Sequence, residues 1–128
     1  MTEVLIDTSA WIQFFRKKED PVSSMVESLV ESDRAVMTGV VMTELLQGTR
    51  NEKEARQLAM LLSVLPFIET ERMDWQAAGE TLRKLRARGV TIPVTDAVIG
   101  TVAHRRGLAV LTTDPHFDHL PVEKVTAS

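Results

Sequence analysis

Val4-Leu5-Ile6-Asp7-Thr8-Ser9 is the stretch that decides the fold. Three large apolar residues, two of them β-branched, stand between a polar start and a polar stop. The run does not alternate, so it reads as a strand covered on both faces, as in a parallel sheet. From Ser9 to Phe15 the bulky positions, Ala10-Trp11, Phe14 and Phe15, take helical spacing. Asp7 therefore sits where a buried strand hands over to a helix. Ligands of open α/β sheets bind at that carboxyl edge. An Asp in front of a helix is also the ordinary N-cap, so Asp7 alone leaves both readings open.

The 128 residues predict one domain spanning residues 1–128, long enough for a core without staples. With no cysteine there is no disulfide framework, thiolate metal site or thiol nucleophile. No apolar run approaches the roughly 18 residues of a membrane span, and Glu3 and Asp7 interrupt any export signal. A cytoplasmic location is expected. The net charge of −3 argues only weakly against a polyanionic substrate, because assigning four carboxylates to a site leaves the remainder at +1. Basic clusters stand at Arg16-Lys17-Lys18, at Arg83-Lys84 with Arg86 and Arg88, and at Arg105-Arg106.

Further along, Pro21 suits the first turn of a helix, in which Val22, Met25, Val26, Leu29 and Val30 share an arc of about 140°. Ala35 to Thr38 reads as a short strand broken by Gly39. Val41 to Gly48 reads as a helix with Glu44 about 60° beyond Val41, at the edge of its apolar side. Asn51 to Leu62 is a further helix, with Met60 off its inner face, and Pro66-Phe67-Ile68 a short strand or turn. Thr70-Glu71-Arg72-Met73 opens a helix ending near Gly89, with Trp75, Ala78, Leu82 and Leu85 expected inside. Thr95 is the expected N-cap of a helix that carries Asp96 in its first turn and stops at Gly107. Leu108 to Leu111 repeats the opening pattern, a fully apolar strand running into Thr112-Thr113-Asp114-Pro115. Val122 to Val125 could add an edge strand.

Each acid has a bland reading as a cap or a surface residue. Together they do not. A right-handed strand–helix alternation brings strand ends and helix starts to one edge, so Asp7, Glu44, Asp96 and Asp114 gather in one cleft. Like charges at about 4 Å cost on the order of 1 kcal/mol per pair in water and about 4 at an effective dielectric of 20. No Lys or Arg neighbours any of the four in sequence. A hard divalent cation is the natural partner, and all-oxygen ligands select Mg2+ or Mn2+. Such sites typically work on phosphates.

Val-Leu-Ile-Asp7-Thr-Ser, Glu44 within Val-Met-Thr-Glu-Leu, Thr95-Asp96-Ala97 and Leu-Thr-Thr-Asp114-Pro-His-Phe117 together resemble the PIN-domain ribonucleases. The length narrows the resemblance to the VapC toxins of VapBC toxin–antitoxin pairs. It implies a three-layer α/β/α fold with a parallel central sheet of about five strands. It also implies a metal-dependent endoribonuclease, with Asp7, Glu44, Asp96 and Asp114 as its catalytic and metal-binding set and Mg2+ (or Mn2+) as cofactor. Ser9 and Thr113 match positions that hydrogen-bond around such a site. One departure is His116, where the family often has an acid, and a loop histidine without a role is the expectation there.

A haloacid-dehalogenase-like phosphatase would need a second Asp where Ser9 stands. A receiver domain would need an acidic pair near the first strand's end and a late Lys. The remaining alternative is a catalytically degenerate PIN-like interaction module, which the loss of an acid would mark; none of the four is missing. The resemblance further implies a homodimer held by a VapB-type antitoxin. Trp11, Phe14 and Phe15 cannot all face one way on a short helix. Trp11 and Phe15 are accordingly the expected antitoxin contacts.

Overall fold

The computed structural model describes residues 2–16 and 19–125. Lys17 and Lys18, from the first basic cluster, lie outside that range. The elements in order are β1 (Val4–Ile6), α1 (Thr8–Phe15), α2 (Pro21–Glu31), β2 (Ala35–Thr38), α3 (Gly39–Gln47), α4 (Glu52–Ser63), β3 (Phe67–Ile68), α5 (Arg72–Ala87), α6 (Val94–Arg105) and β4 (Ala109–Leu111), followed by a 3-10 turn at Pro115–His119.

The four strands are all parallel and run in the order β3-β2-β1-β4. Val4, Leu5 and Ile6 point alternately to opposite faces, and all three are buried. Ala35 to Thr38 are buried throughout as well. Helices must therefore cover both faces, which makes the three-layer α/β/α arrangement. Among the described residues the sheet has four strands where about five were expected. The Val122–Val125 tail meets β4 at a single bridge, Val110 to Lys124, with Val110 N–H donating to Glu123 O and Val125 N–H to Val110 O, both at 2.9 Å. Two backbone bonds cover part of the edge without extending the sheet.

α6 runs through the middle. Eight consecutive residues, Asp96 to Ala103, are buried, the mark of a helix enclosed on all sides. A Cβ on Gly100 would lie 2.6 Å from Leu120 Cδ1, so the chain after the 3-10 turn packs directly on the helix backbone. Gly107, at φ +67, closes the helix in the left-handed region that glycine enters without a Cβ penalty. At the other end Pro93, not Thr95, is the cap residue. Val94 already takes the first helical position, which places Thr95 inside the first turn.

Two tryptophans reverse the sequence reading. Trp75 is 51% exposed. The inner face of α5 is centred on Asp74, Ala78 and Leu85, one residue round from Trp75. Trp11 is fully buried, edge-on to Phe14 at 6.1 Å and stacked on Phe15 at 5.7 Å. A surface contact by Trp11 is thus excluded in this conformation. With two turns available, α1 turns Ala10 and Trp11 into the core and leaves Phe15 at the surface.

Candidate active site

β1 and β4 pair Ile6 with Leu111, so the next residues, Asp7 and Thr112, emerge side by side at the carboxyl edge. Asp7 N–H donates to Leu111 O at 2.9 Å, tying the two strand ends together. The Asp7 side chain is both cap and site residue. Its Oδ2 accepts from Ser9 N–H at 3.4 Å, Ser9 Oγ at 2.7 Å and Thr112 Oγ1 at 2.8 Å, while the residue is only 2% exposed. All three bonds go to Oδ2. Among the described residues Oδ1 has no such partner.

Thr112 does what the sequence reading assigned to Thr113. Its hydroxyl also accepts from Asp114 N–H at 2.9 Å and lies 3.2 Å from Ser9 Oγ. Thr113 is exposed and contributes its backbone N–H, which donates to Ser9 Oγ at 3.0 Å. The hydroxyl that follows β4 in register with Asp7 is Thr112, and only strand pairing identifies it. Thr8 was missed for a similar reason. Its Oγ1 donates to Glu44 Oε1 at 2.6 Å across the gap between α1 and α3. Glu44 is linked to Asp7 through this neighbour.

Asp96 and Asp114 meet at His116. Asp114 caps the 3-10 turn, accepting from His116 N–H at 2.9 Å. The turn swings the imidazole back, so that Nδ1 lies 2.9 Å from Asp96 Oδ2 and 3.0 Å from Asp114 Oδ1. One potential ligand atom from each of Asp96, Asp114 and His116 falls within 4.8 Å of the others. His116 was expected to have no role. The sequence signal that could have found it is Asp-Pro-His, where an Asp-capped turn returns the third residue to the cap.

Burial pushes the Asp96 carboxyl up to about 6; the His116 hydrogen bond opposes this, and the charges of Asp7 and Asp114 add to it. His116 is raised above the ordinary histidine value, first by its bond to Asp96 and then by the surrounding acids. The chain thus sets one imidazole against several acids and brings no Lys or Arg into hydrogen-bond contact with Asp7, Asp96, Asp114 or Glu44 among the described residues. The donor set suits a hard divalent cation. It is carboxylate oxygen except for one imidazole nitrogen, whose side chain is partly exposed at the rim.

Ser9 serves to hold Asp7. Its hydroxyl donates to Asp7 Oδ2 at 2.7 Å and accepts from Thr113 N–H at 3.0 Å. The arrangement can hold a cation and orient a water.

The PIN domain family model matches residues 4–123. Over 119 residues the chain is 30% identical to the VapC ribonuclease Mb1587 of Mycobacterium bovis, covering 90% of this chain and 89% of that protein. The same figures hold for ribonuclease VapC11 of Mycobacterium tuberculosis. Among solved structures, VapBC2 from Rickettsia felis, bound to a DNA fragment from its promoter, aligns at a TM-score of 0.80 with 18% identity and 98% of both chains covered. VapBC-1 from nontypeable Haemophilus influenzae aligns at 0.80 with 19% identity and 97% of both chains covered. The match to nearly the whole length and the acids gathered at the sheet edge agree: the chain belongs to the PIN-domain family, in the VapC branch.

Proposed function

We propose that this protein is a metal-dependent endoribonuclease acting as the toxin of a type II toxin–antitoxin pair. The observation that carries the proposal is geometric: Asp96 and Asp114 converge at the carboxyl edge of the sheet with His116, one ligand atom of each within 4.8 Å of the others, and Asp7 stands on the neighbouring strand end. The relatives named as VapC ribonucleases point to RNA as the substrate.

In this reading Asp7, Asp96 and Asp114 hold Mg2+ or Mn2+, and Glu44 completes the set directly or through water. When bound, such an ion activates a water and neutralises charge developing on the phosphate. The chain's own work is positional. Ser9 and Thr112 pin Asp7 Oδ2 and leave Oδ1 without a hydrogen-bond partner among the described residues. Thr8 fixes the Glu44 carboxylate. His116 spans Asp96 and Asp114 and holds their oxygens together.

The partner is a VapB-type antitoxin, as in the VapBC assemblies whose folds this chain shares. A groove of about 850 Å3 beside Phe14 and Phe15 is edged by Glu19, Asp20 and Glu27. That lining favours a segment with apolar and basic side chains. Phe15, not Trp11, is the aromatic exposed to it. The chain is also read as a homodimer, since Met60, Val64 and Met73 leave apolar surface exposed.

Purified protein incubated with RNA and Mg2+ or Mn2+ should generate new ends, and excess chelator should abolish them. Full cleavage in chelator would overturn the metal mechanism. Toxicity on expression should be relieved by co-expressing the neighbouring open reading frame.

A further inference from the structure

We propose that the cleft on the Glu44 side of the acidic cluster is a base-binding subsite, where Trp75 stacks on an unpaired base flanking the scissile phosphate. The inference rests on the ribonuclease reading and names a residue for substrate positioning. The cleft measures about 530 Å3 and includes Thr43, Glu44, Gln47, Glu69, Trp75 and Thr95 in its lining. It is continuous with the site at two points. Glu44 belongs to the acidic set, and Thr95 immediately precedes Asp96.

Trp75 is among the most anomalous side chains of the surface. An indole half exposed to water leaves a large apolar face without a partner, and it stacks on no other aromatic ring among the described residues. Helix packing does not require it there, because the inward stripe of α5 is filled by Asp74, Ala78 and Leu85. A flat π-face beside a phosphodiester-cleaving centre is the feature that holds single-stranded nucleic acid. Every base offers a face to stack, and double-stranded RNA does not.

The lining says which part of the nucleotide enters. Glu44 and Glu69 place two carboxylates on the wall, with the Gln47 amide and the Thr43 hydroxyl beside them, and among the described residues no Lys or Arg lines the cleft. A phosphate would be repelled. The edge of a base that carries an exocyclic amino group would find acceptors in the carboxylates and the amide. Backbone phosphates belong at the cation, and this cleft takes the base.

The test uses the Asp7→Asn protein as a cleavage-silent background for binding. Trp11 is enclosed and Trp75 is open, so a short unstructured RNA oligonucleotide should quench the fluorescence of Trp75. Trp75→Phe in the same background should remove that quench. In the cleavage-competent protein, Trp75→Ala should raise KM for the oligonucleotide about tenfold, within the range for losing one base–aromatic stack, and leave kcat within about twofold. Trp75→Phe should recover most of the KM. An abasic position beside the cut should raise KM for the unaltered protein and add nothing in Trp75→Ala, as expected for two changes that remove one contact. An unchanged KM in Trp75→Ala overturns the inference and leaves the ribonuclease reading standing. So does a KM effect that appears only with a fall in sedimentation coefficient, which would make Trp75 a contact between copies. No cleavage by the unaltered protein overturns the ribonuclease reading, and this inference with it.

Discussion

Asp74 and Asp96 occupy the same place in successive helices, the third residue of α5 and of α6. They end in opposite electrostatic states. Both are buried, at 0% and 8% exposure. Both gain from the positive end of a helix. Asp74 receives Arg105 at 2.6 Å and Arg106 at 2.9 and 3.0 Å, and its oxygen accepts from Glu71 N–H at 2.7 Å in a capping box. Burial pushes its carboxyl up, but Arg106, Glu71 and Arg105 outweigh that and hold it at about 2. Asp96 receives one imidazole and two acidic neighbours, and rises to about 6. The fold supplies cations where a carboxylate holds helices together. It withholds them where a carboxylate is to meet something from solution.

The largest test of that contrast is on activity. Asp96→Asn should lower RNA cleavage by at least about a thousandfold, roughly 4 kcal/mol in barrier, while circular dichroism and thermal unfolding show a fold as stable as before or more so. Retained cleavage would remove Asp96 from the site. Asp74→Ala should do the reverse. Leaving two arginines partly buried without their partner should cost about 3 kcal/mol of stability, near the lower end for a broken buried ion pair, as read by denaturant unfolding. Residual cleavage per folded molecule should be unchanged. Equal loss of specific activity in the two variants would erase the distinction.

A smaller effect concerns pH. Asp74 binds its proton less readily in the folded chain than in the unfolded one, whose carboxyl keeps the ordinary 3.8. Its contribution, about 2 kcal/mol, is fully present above pH 4 or so and is lost as pH falls toward 2. Urea midpoints measured down that range should drop in the unaltered protein. In Asp74→Asn they should show less of this drop. An identical acid limb in both would show that other groups set it.

Smallest is the thermal shift with metal. Mn2+ at about ten times its dissociation constant should add roughly 1.4 kcal/mol at most, less where the unfolded chain also binds it. The shift should vanish in Asp96→Asn and persist in Trp75→Ala. A shift that survives Asp96→Asn would place the cation elsewhere.

The positions of Asp7, Asp96 and Asp114 were legible because each closes or opens an element whose apolar pattern is unambiguous. The local chain dictates where such an acid points. The place of Glu44 at the edge of its helix's apolar side was legible from helical angle, but its part in the set came only from the four acids read together. Thr112 and His116 were not, and neither was Asp74. The two-threonine run after β4 could offer either hydroxyl, and only pairing of Ile6 with Leu111 selects Thr112. His116 acts through a turn folded back on Asp114 and onto a helix twenty residues earlier. Asp74 reads as an ordinary first-turn acid until α6 brings two arginines to it.

Trp11 and Trp75 divide along the same line. Periodicity located both on helices but could not say which neighbour each helix would meet. An eight-residue helix has too few apolar positions to define its inner face, so packing against the core chose Trp11 and left Phe15 outside. In α5 the inward stripe includes Asp74 with its two arginines, and the largest apolar residue of the helix stands toward solvent and the acidic cleft. Apolar runs and their polar stops therefore determined the strands, the helices and the acids at their joints, because these depend on residues within a few positions of one another. Which hydroxyl, imidazole or indole reaches those acids was decided only in the tertiary structure, because register and helix rotation are set by contacts far apart in the chain.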